Sequence, residues 1–164
     1  MSLHPTSFAD WQHYPSTLDP IHIAWLKNAK KSKTAFAVAD IEGVEISHKK
    51  FLTGVLLFSR KIEVYSPEQN VGLLLPSSGG GAIASMAILS LGKTIVNLNF
   101  TAGKKALESA AQQAEVKHIY TSRKFIDKMQ ERGIDLESFF PDSKLLMLEA
   151  VSYTHLRAHE TIPD

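Results

Sequence analysis

The order of apolar and polar positions changes character once along this chain, near Asn70, and that change is the main guide to its architecture. Before it, Ile21, Trp25 and Leu26 with Ala24 and Ala29 recur at helical spacing. The run starts at Pro20, a residue suited to a first helical turn, and ends among Lys27, Lys30 and Lys31, cations that favour a helix C-terminus. A short amphipathic helix is expected there. Thr34 to Ala39 reads as a strand, Asp40-Ile41-Glu42-Gly43 as a turn and Val44 to Ile46 as a returning strand, which predicts a β-hairpin. Ser47 is placed to cap the following run, where Phe51, Val55, Leu56, Phe58 and Ile62 repeat at helical spacing until Pro67 stops it. One face of this helix should lie on a sheet.

From Asn70 the pattern becomes short continuous apolar runs separated by helical segments. Val71 to Leu75, Thr94 to Leu98 and His118 to Thr121 read as strands, and Ile83 to Leu91 and Ala106 to Ala114 as the helices between them. Strands without inside-outside alternation, joined through helices, argue for βαβ units and a parallel sheet covered on both faces. The helix from Gly81 to Leu91 is apolar almost all round, so it should be buried between the sheet and another layer, and Gly92 should end it. Ser122 is positioned to cap a further helix through Arg132, Gly133 to close it, and Lys144 to Glu149 to form a last strand after Pro141. Residues 1–19 carry Pro5, Pro15 and mixed polar residues without any period and read as an irregular lead segment. The fold class is therefore α/β: a β-hairpin plus a mostly parallel, helix-flanked sheet.

Composition narrows the function classes. At 164 residues the chain can build one domain with a real core. Its 18 lysines and arginines nearly balance 17 acidic residues, so no global field gathers nucleic acid, and none is expected as a partner. Without cysteine there are no disulfides and no thiolate metal sites. No stretch approaches the roughly 18 apolar residues of a membrane span, and the N-terminus lacks a secretory pattern, so a cytoplasmic address is expected.

Candidate chemistry concentrates at Leu75-Pro76-Ser77-Ser78-Gly79-Gly80-Gly81-Ala82-Ile83-Ala84. Gly79, Gly81 and Ala84 fit G-x-G-x-x-G/A, in which glycines let a pyrophosphate approach the backbone at a helix N-terminus. The fingerprint is incomplete, because the next strand ends Asn97-Leu98-Asn99 and no carboxylate follows until Glu108. A tight turn with close helix packing accounts for the three glycines as well, and a cofactor loop at Gly79, Gly80 and Gly81 is the alternative. Gly92-Lys93-Thr94 mimics the end of a P-loop, but Ala87 stands where its first glycine should be and the segment enters a strand. Ser77, Ser78 and Ser85 lie in no G-x-S-x-G elbow and read as turn and cap residues. His155 and His159 share a helical spacing that could hold a metal, yet lack a third ligand, and the Lys49-Lys50 and Lys104-Lys105 pairs read as solvated faces. No catalytic or metal-binding residue is assigned.

The order of elements after Asn70, with Asn97-Leu98-Asn99-Phe100-Thr101-Ala102-Gly103, Ala114-Glu115-Val116-Lys117 and Tyr120-Thr121-Ser122-Arg123-Lys124-Phe125-Ile126-Asp127-Lys128, resembles the acyl-acyl carrier protein synthetase part of bacterial bifunctional 2-acylglycerophosphoethanolamine acyltransferase/synthetases. These belong to the AMP-forming adenylate ligases. The resemblance covers residues 20–149 and implies part of the first subdomain of the ligase N-terminal domain, preceded by the lead segment 1–19. It further implies that the parent uses ATP and Mg²⁺ to convert a fatty acid to an acyl-adenylate, then passes the acyl group to acyl carrier protein or CoA. The family's Ser/Thr/Gly-rich phosphate loop ending in lysine, its adenine and ribose motifs and its C-terminal-domain lysine have no counterpart here. The resemblance therefore implies an incomplete domain, inactive alone and without cofactor, that needs the remainder of the synthetase. Residues 150–164, with Val151-Ser152-Tyr153-Thr154-His155-Leu156-Arg157-Ala158-His159-Glu160-Thr161, resemble translated sequencing adapter and are expected to be a non-native tail. The competing expectations are a small Rossmann-like nucleotide-binding module using Gly79 to Gly81, and a non-catalytic α/β interaction protein.

Overall fold

The computed structural model describes residues 19–40 and 45–149. The lead segment to residue 18, the hairpin turn at 41–44 and the tail from residue 150, with His155 and His159, lie outside the described residues.

Helix α1 (Ile21–Ala29) starts directly after Pro20, which takes the N-cap position rather than a place inside the first turn, and Lys27 in its last turn pairs with Asp19 at 2.7 Å. Strands β1 (Phe36–Ala39) and β2 (Glu45–Ser47) pair antiparallel with Val38 opposite Ile46, so the expected hairpin is present with shorter strands. Ser47 caps α2 (His48–Tyr65), accepting a 3.4 Å bond from the Lys50 amide. Phe51, Val55, Phe58 and Ile62 are buried along one stripe of α2. Leu56 departs from the expected stripe and is 59% exposed. One residue after Val55 it is turned by about 100° around the helix, away from the core.

Beyond α2, β3 (Asn70–Leu73), β4 (Thr94–Asn97), β5 (His118–Thr121) and β6 (Lys144–Met147) form one parallel sheet in the order β4-β3-β5-β6. Register is continuous from Asn70 opposite Thr94 to Leu73 opposite Asn97, and from His118 opposite Lys144 to Thr121 opposite Met147. Gly72 lets the central strands close up: a Cβ there would sit 2.7 Å from Ile119 Cγ1 and 2.8 Å from Val116 Cγ1. The connecting helices are α3 (Gly79–Ser90), α4 (Lys104–Gln113) and α5 (Arg123–Gln130), with short 3₁₀ turns at Phe100–Ala102 and Glu137–Phe139.

Each sheet face is covered by its own core. On one face α2 and α3 enclose Phe58, Ile62, Val71, Ala84, Ile88 and Tyr120; on the other α4 and α5 enclose Leu74, Leu107, Val116, Ile119, Phe125 and Ile126. The all-apolar α3 fits this arrangement, because it packs against α2 on one side and the strands β3 and β4 on the other. Small Ala84 and Ala87, both fully buried, allow that close approach. No helix of the described residues is long and apolar enough to cross a membrane.

Candidate functional site

Because β3 is followed by a helix on one face and β5 by a helix on the other, the chain parts in opposite directions at the carboxyl ends of these neighbouring strands. Open α/β sheets take ligands at such a point. The segments that meet along this edge are Leu75–Gly81 after β3, Leu98–Gly103 after β4, Ser122-Arg123 after β5 and Leu148-Glu149 after β6.

The glycine segment is not an open loop. Ser78 caps α3, its hydroxyl accepting from the Gly81 amide at 3.1 Å, so Gly79, Gly80 and Gly81 occupy the first turn of the helix rather than the turn before it. The Gly79 amide donates to Asp40 Oδ2 at 3.4 Å, which brings a hairpin carboxylate to the positive end of α3. A Cβ on Gly79 would lie 2.7 Å from Ile46 Cδ1, whereas one on Gly80 would meet only Leu148 Cδ1 at 3.7 Å. Gly79 thus serves close packing of helix on hairpin. Asp40 lies 39 residues upstream in a turn-like sequence, with no short-range signal to mark it as a partner of this helix.

Around this edge the other hydroxyls and amides are largely engaged by the backbone. Ser85 Oγ donates to the Gly81 carbonyl at 2.9 Å. Asn99 Oδ1 accepts from the Thr101 amide at 3.1 Å and its hydroxyl at 2.8 Å, starting the 3₁₀ turn, and Gly103 with φ +81° turns the chain into α4. Ser122 caps α5 through the Phe125 amide at 3.1 Å, while the Arg123 amide donates to Glu149 Oε1 at 2.9 Å. Thr121 Oγ1 and Glu149 Oε2 are buried without a hydrogen-bond partner among the described residues. Thr121 entered the sequence reading only as part of the Tyr120–Lys128 stretch and Glu149 only as a strand end, so neither was singled out as a site residue.

Two clefts of ≈ 330 Å³ each open beside β3 and β4. One is lined by Ser77, Ser78, Ser85 and Asn97, and the other by Ser77, Asn97, Asn99 and Phe100, with Leu73 and Leu75 flooring both. They fall at the small end of the roughly 300–1,000 Å³ of ligand pockets. No acidic or basic side chain lines either cleft.

Neither cleft presents a charged partner for a phosphate. A triphosphate needs cationic partners, and the α3 N-terminus already faces the Asp40 carboxylate. Among the described residues no group of three or more His, Asp or Glu could hold a metal ion. Gly92-Lys93-Thr94 leads from α3 into β4: Gly92 takes φ +69° and Lys93 Nζ donates to the Glu68 carbonyl at 2.6 Å. Of the scattered histidines, His48 Nδ1 accepts from the Trp25 indole at 3.2 Å and His118 Nδ1 lies 2.9 Å from Glu68 Oε1, both remote in sequence from these partners.

No protein-family model matches the sequence. Among solved structures the chain is similar to the nonribosomal peptide synthetase FmoA3 in its α-methyl-L-serine-AMP bound form, with TM-score 0.70 and 13% identity over 86% of this chain and 15% of that one. It is similar to O-succinylbenzoate coenzyme A synthetase MenE from Bacillus subtilis in complex with AMP, with TM-score 0.64 and 10% identity over 77% and 31%. A third is the Klebsiella oxytoca NpsA N-terminal subdomain in complex with 3-hydroxyanthranilyl-AMSN, with TM-score 0.64 and 10% identity over 84% and 34%. The chain thus spans about a third or less of each of these structures. The shared fold is that of the N-terminal subdomain of adenylate-forming ligases.

Proposed function

We propose that residues 20–149 are the opening portion of the N-terminal domain of an AMP-forming ligase that activates a fatty acid. The parent would form an acyl-adenylate from ATP with release of pyrophosphate, then transfer the acyl group to the thiol of acyl carrier protein or CoA. The observation that carries this reading is the hairpin followed by the β4-β3-β5-β6 sheet in one continuous order, a fold shared with adenylate-forming ligases at TM-score 0.70 over 86% of the chain. The Asn97–Lys128 stretch supports the finer assignment to acyl-acyl carrier protein synthetases by its resemblance to that branch.

On this reading the described residues act as scaffold. They fix the carboxyl edge of the sheet against which the phosphate-binding parts, supplied by further chain, would pack. Sequencing the gene past codon 149 in an independent isolate tests it. The reading expects an open frame that enters a Thr/Ser/Gly-rich loop ending in lysine, and a stop codon at that point in independently sequenced copies overturns it.

A further inference from the structure

Helices α2 and α3 run side by side in the same direction. Gly54 lies against Ile83, where a Cβ would meet Ile83 Cδ1 at 2.9 Å, and further along both helices Ser59 Oγ lies 3.5 Å from the Ala87 carbonyl oxygen. Their capped starts, at Ser47 and Ser78, therefore share one end. Between them, bordered at that end by Ile46 of the hairpin and Leu148 beyond β6, opens a cleft of ≈ 670 Å³. It is larger than the two of ≈ 330 Å³ beside β3 and β4 and lies well inside the range of ligand pockets. The lining is divided by polarity. Gly54, Leu57, Phe58, Ile83 and Ala84 form an apolar body, while Lys49 and Lys50, in the first turn of α2, are the only charged residues lining it among those described. Both lysines are exposed, and neither pairs with a carboxylate among the described residues. Asp40, which holds the Gly79 amide, does not line the cleft. Between Lys50 and Leu57 the helix advances about 10 Å, so positive charge is confined to one end of an apolar trough.

A trough with cations at one end and apolar walls along its length is complementary to a molecule with one anionic head and one apolar chain. We propose that this cleft binds a fatty-acid anion, its carboxylate between Lys49 and Lys50 and its chain along Gly54, Leu57 and Ile83. The choice of carboxylate as the head rests on the fatty-acid reading above, whereas the lining by itself asks for an anion and an apolar chain. Removal of the chain from water supplies the affinity, and the two ammonium groups set its direction. Because those groups are exposed, binding weakens as salt is raised. The two hydroxyls of the lining are engaged by the backbone: Ser47 Oγ accepts from the Lys50 amide at 3.4 Å, and Thr53 Oγ1 donates to the Lys49 carbonyl at 3.1 Å. The cleft therefore holds the acid without converting it, apart from the carboxyl-edge clefts beside β3 and β4.

Isothermal titration calorimetry of the full 164-residue chain with decanoate, kept below its micelle concentration, tests this. Saturable one-to-one binding is expected, with decyltrimethylammonium, which has the same chain and the opposite charge, about tenfold weaker or more. Lys49→Glu with Lys50→Glu should reverse that preference. Acidic residues in the first turn of α2 favour the helix, so loss of decanoate binding in that variant would not come from unfolding, which circular dichroism checks. Leu57→Asn should weaken both ligands alike, because it changes the body of the cleft and leaves the charged end. Absence of saturable decanoate binding overturns the proposal and leaves the cleft to be covered by further chain after Glu149. Binding that is indifferent to head-group charge or to the lysine reversal also overturns it, as adsorption to apolar surface. The ligase reading fails separately: a stop codon at that point in independent copies of the gene ends it without touching a measured decanoate site, and an open frame with no decanoate binding ends only the present proposal.

Discussion

The hydroxyls of Ser66 and Tyr120 lie 2.9 Å apart in the interior, and this bond ties the end of α2 to β5, a strand in the middle of the sheet. Both residues are almost fully buried, and Phe58 meets the Tyr120 ring edge-on at 4.9 Å. Tyr120→Phe keeps the ring contact but leaves the Ser66 hydroxyl unpaired in the core. The expected loss is about 1–3 kcal/mol of stability by urea unfolding. Ser66→Ala made in addition should cost less than the sum of the single changes, because one bond cannot be lost twice. Additive losses would show that the two hydroxyls are not coupled.

Alkaline pH should act on the same bond. Burial raises the Tyr120 pKa above its ordinary 10.0, the Ser66 hydrogen bond works against that rise, and the nearby Glu68 and Tyr65 add to it. The folded chain therefore holds this proton more tightly than the unfolded chain does. The resulting stability is fully present below about pH 10 and is lost as pH climbs through the raised folded value. Tyr120→Phe should flatten that part of the stability profile, and an unchanged profile would remove Tyr120 as its source.

Gly79 and Gly80 differ although they are neighbours in one helical turn. Gly79→Ala pushes the terminal methyl of Ile46 aside and should be less favourable than Gly80→Ala by up to about 1 kcal/mol. Gly80→Ala meets only ordinary contact and should be neutral or stabilising by up to about 1 kcal/mol, as alanine restricts the unfolded chain and favours the helix. Ile46→Ala should cost less in the Gly79→Ala background than in the unsubstituted chain, because the two side chains compete for the same space. If both glycines tolerate alanine equally, the Ile46 side chain yields to the added methyl at no cost.

Thr121 offers a change in the opposite direction. Its hydroxyl is fully buried without a partner among the described residues, so Thr121→Val should leave stability unchanged or raise it by about 1 kcal/mol or more. Destabilisation would reveal that the hydroxyl has a partner, such as an ordered water or a ligand group at the carboxyl edge.

Much of this fold was legible because local signals agreed with one another. Ser47, Ser78 and Ser122 all accept from the amide three residues on, and the apolar runs at Val71, Thr94 and His118 became parallel strands. What escaped the sequence was long-range. Nothing near Asp40 announces that its carboxylate meets the Gly79 amide, and Leu56 was assigned to the core stripe because a pattern of apolar residues does not say where the stripe ends. The three glycines read as a tight turn with close packing, with a cofactor loop as the alternative, and the packing partner of the first, Ile46 of the hairpin, could not be named from the sequence. Thr121 and Glu149 carry no local signal of burial without a partner. Their significance depends on the two strand ends being neighbours.

The proposed membership of this scaffold in a fatty-acid-activating ligase is tested most directly by ATP-pyrophosphate exchange. The protein encoded by the complete gene that contains residues 20–149 should exchange labelled pyrophosphate into ATP when given hexadecanoate and Mg²⁺, and should not do so when hexadecanoate is left out. A folded, full-length product that shows no exchange with hexadecanoate or with fatty acids of other chain lengths would contradict that assignment.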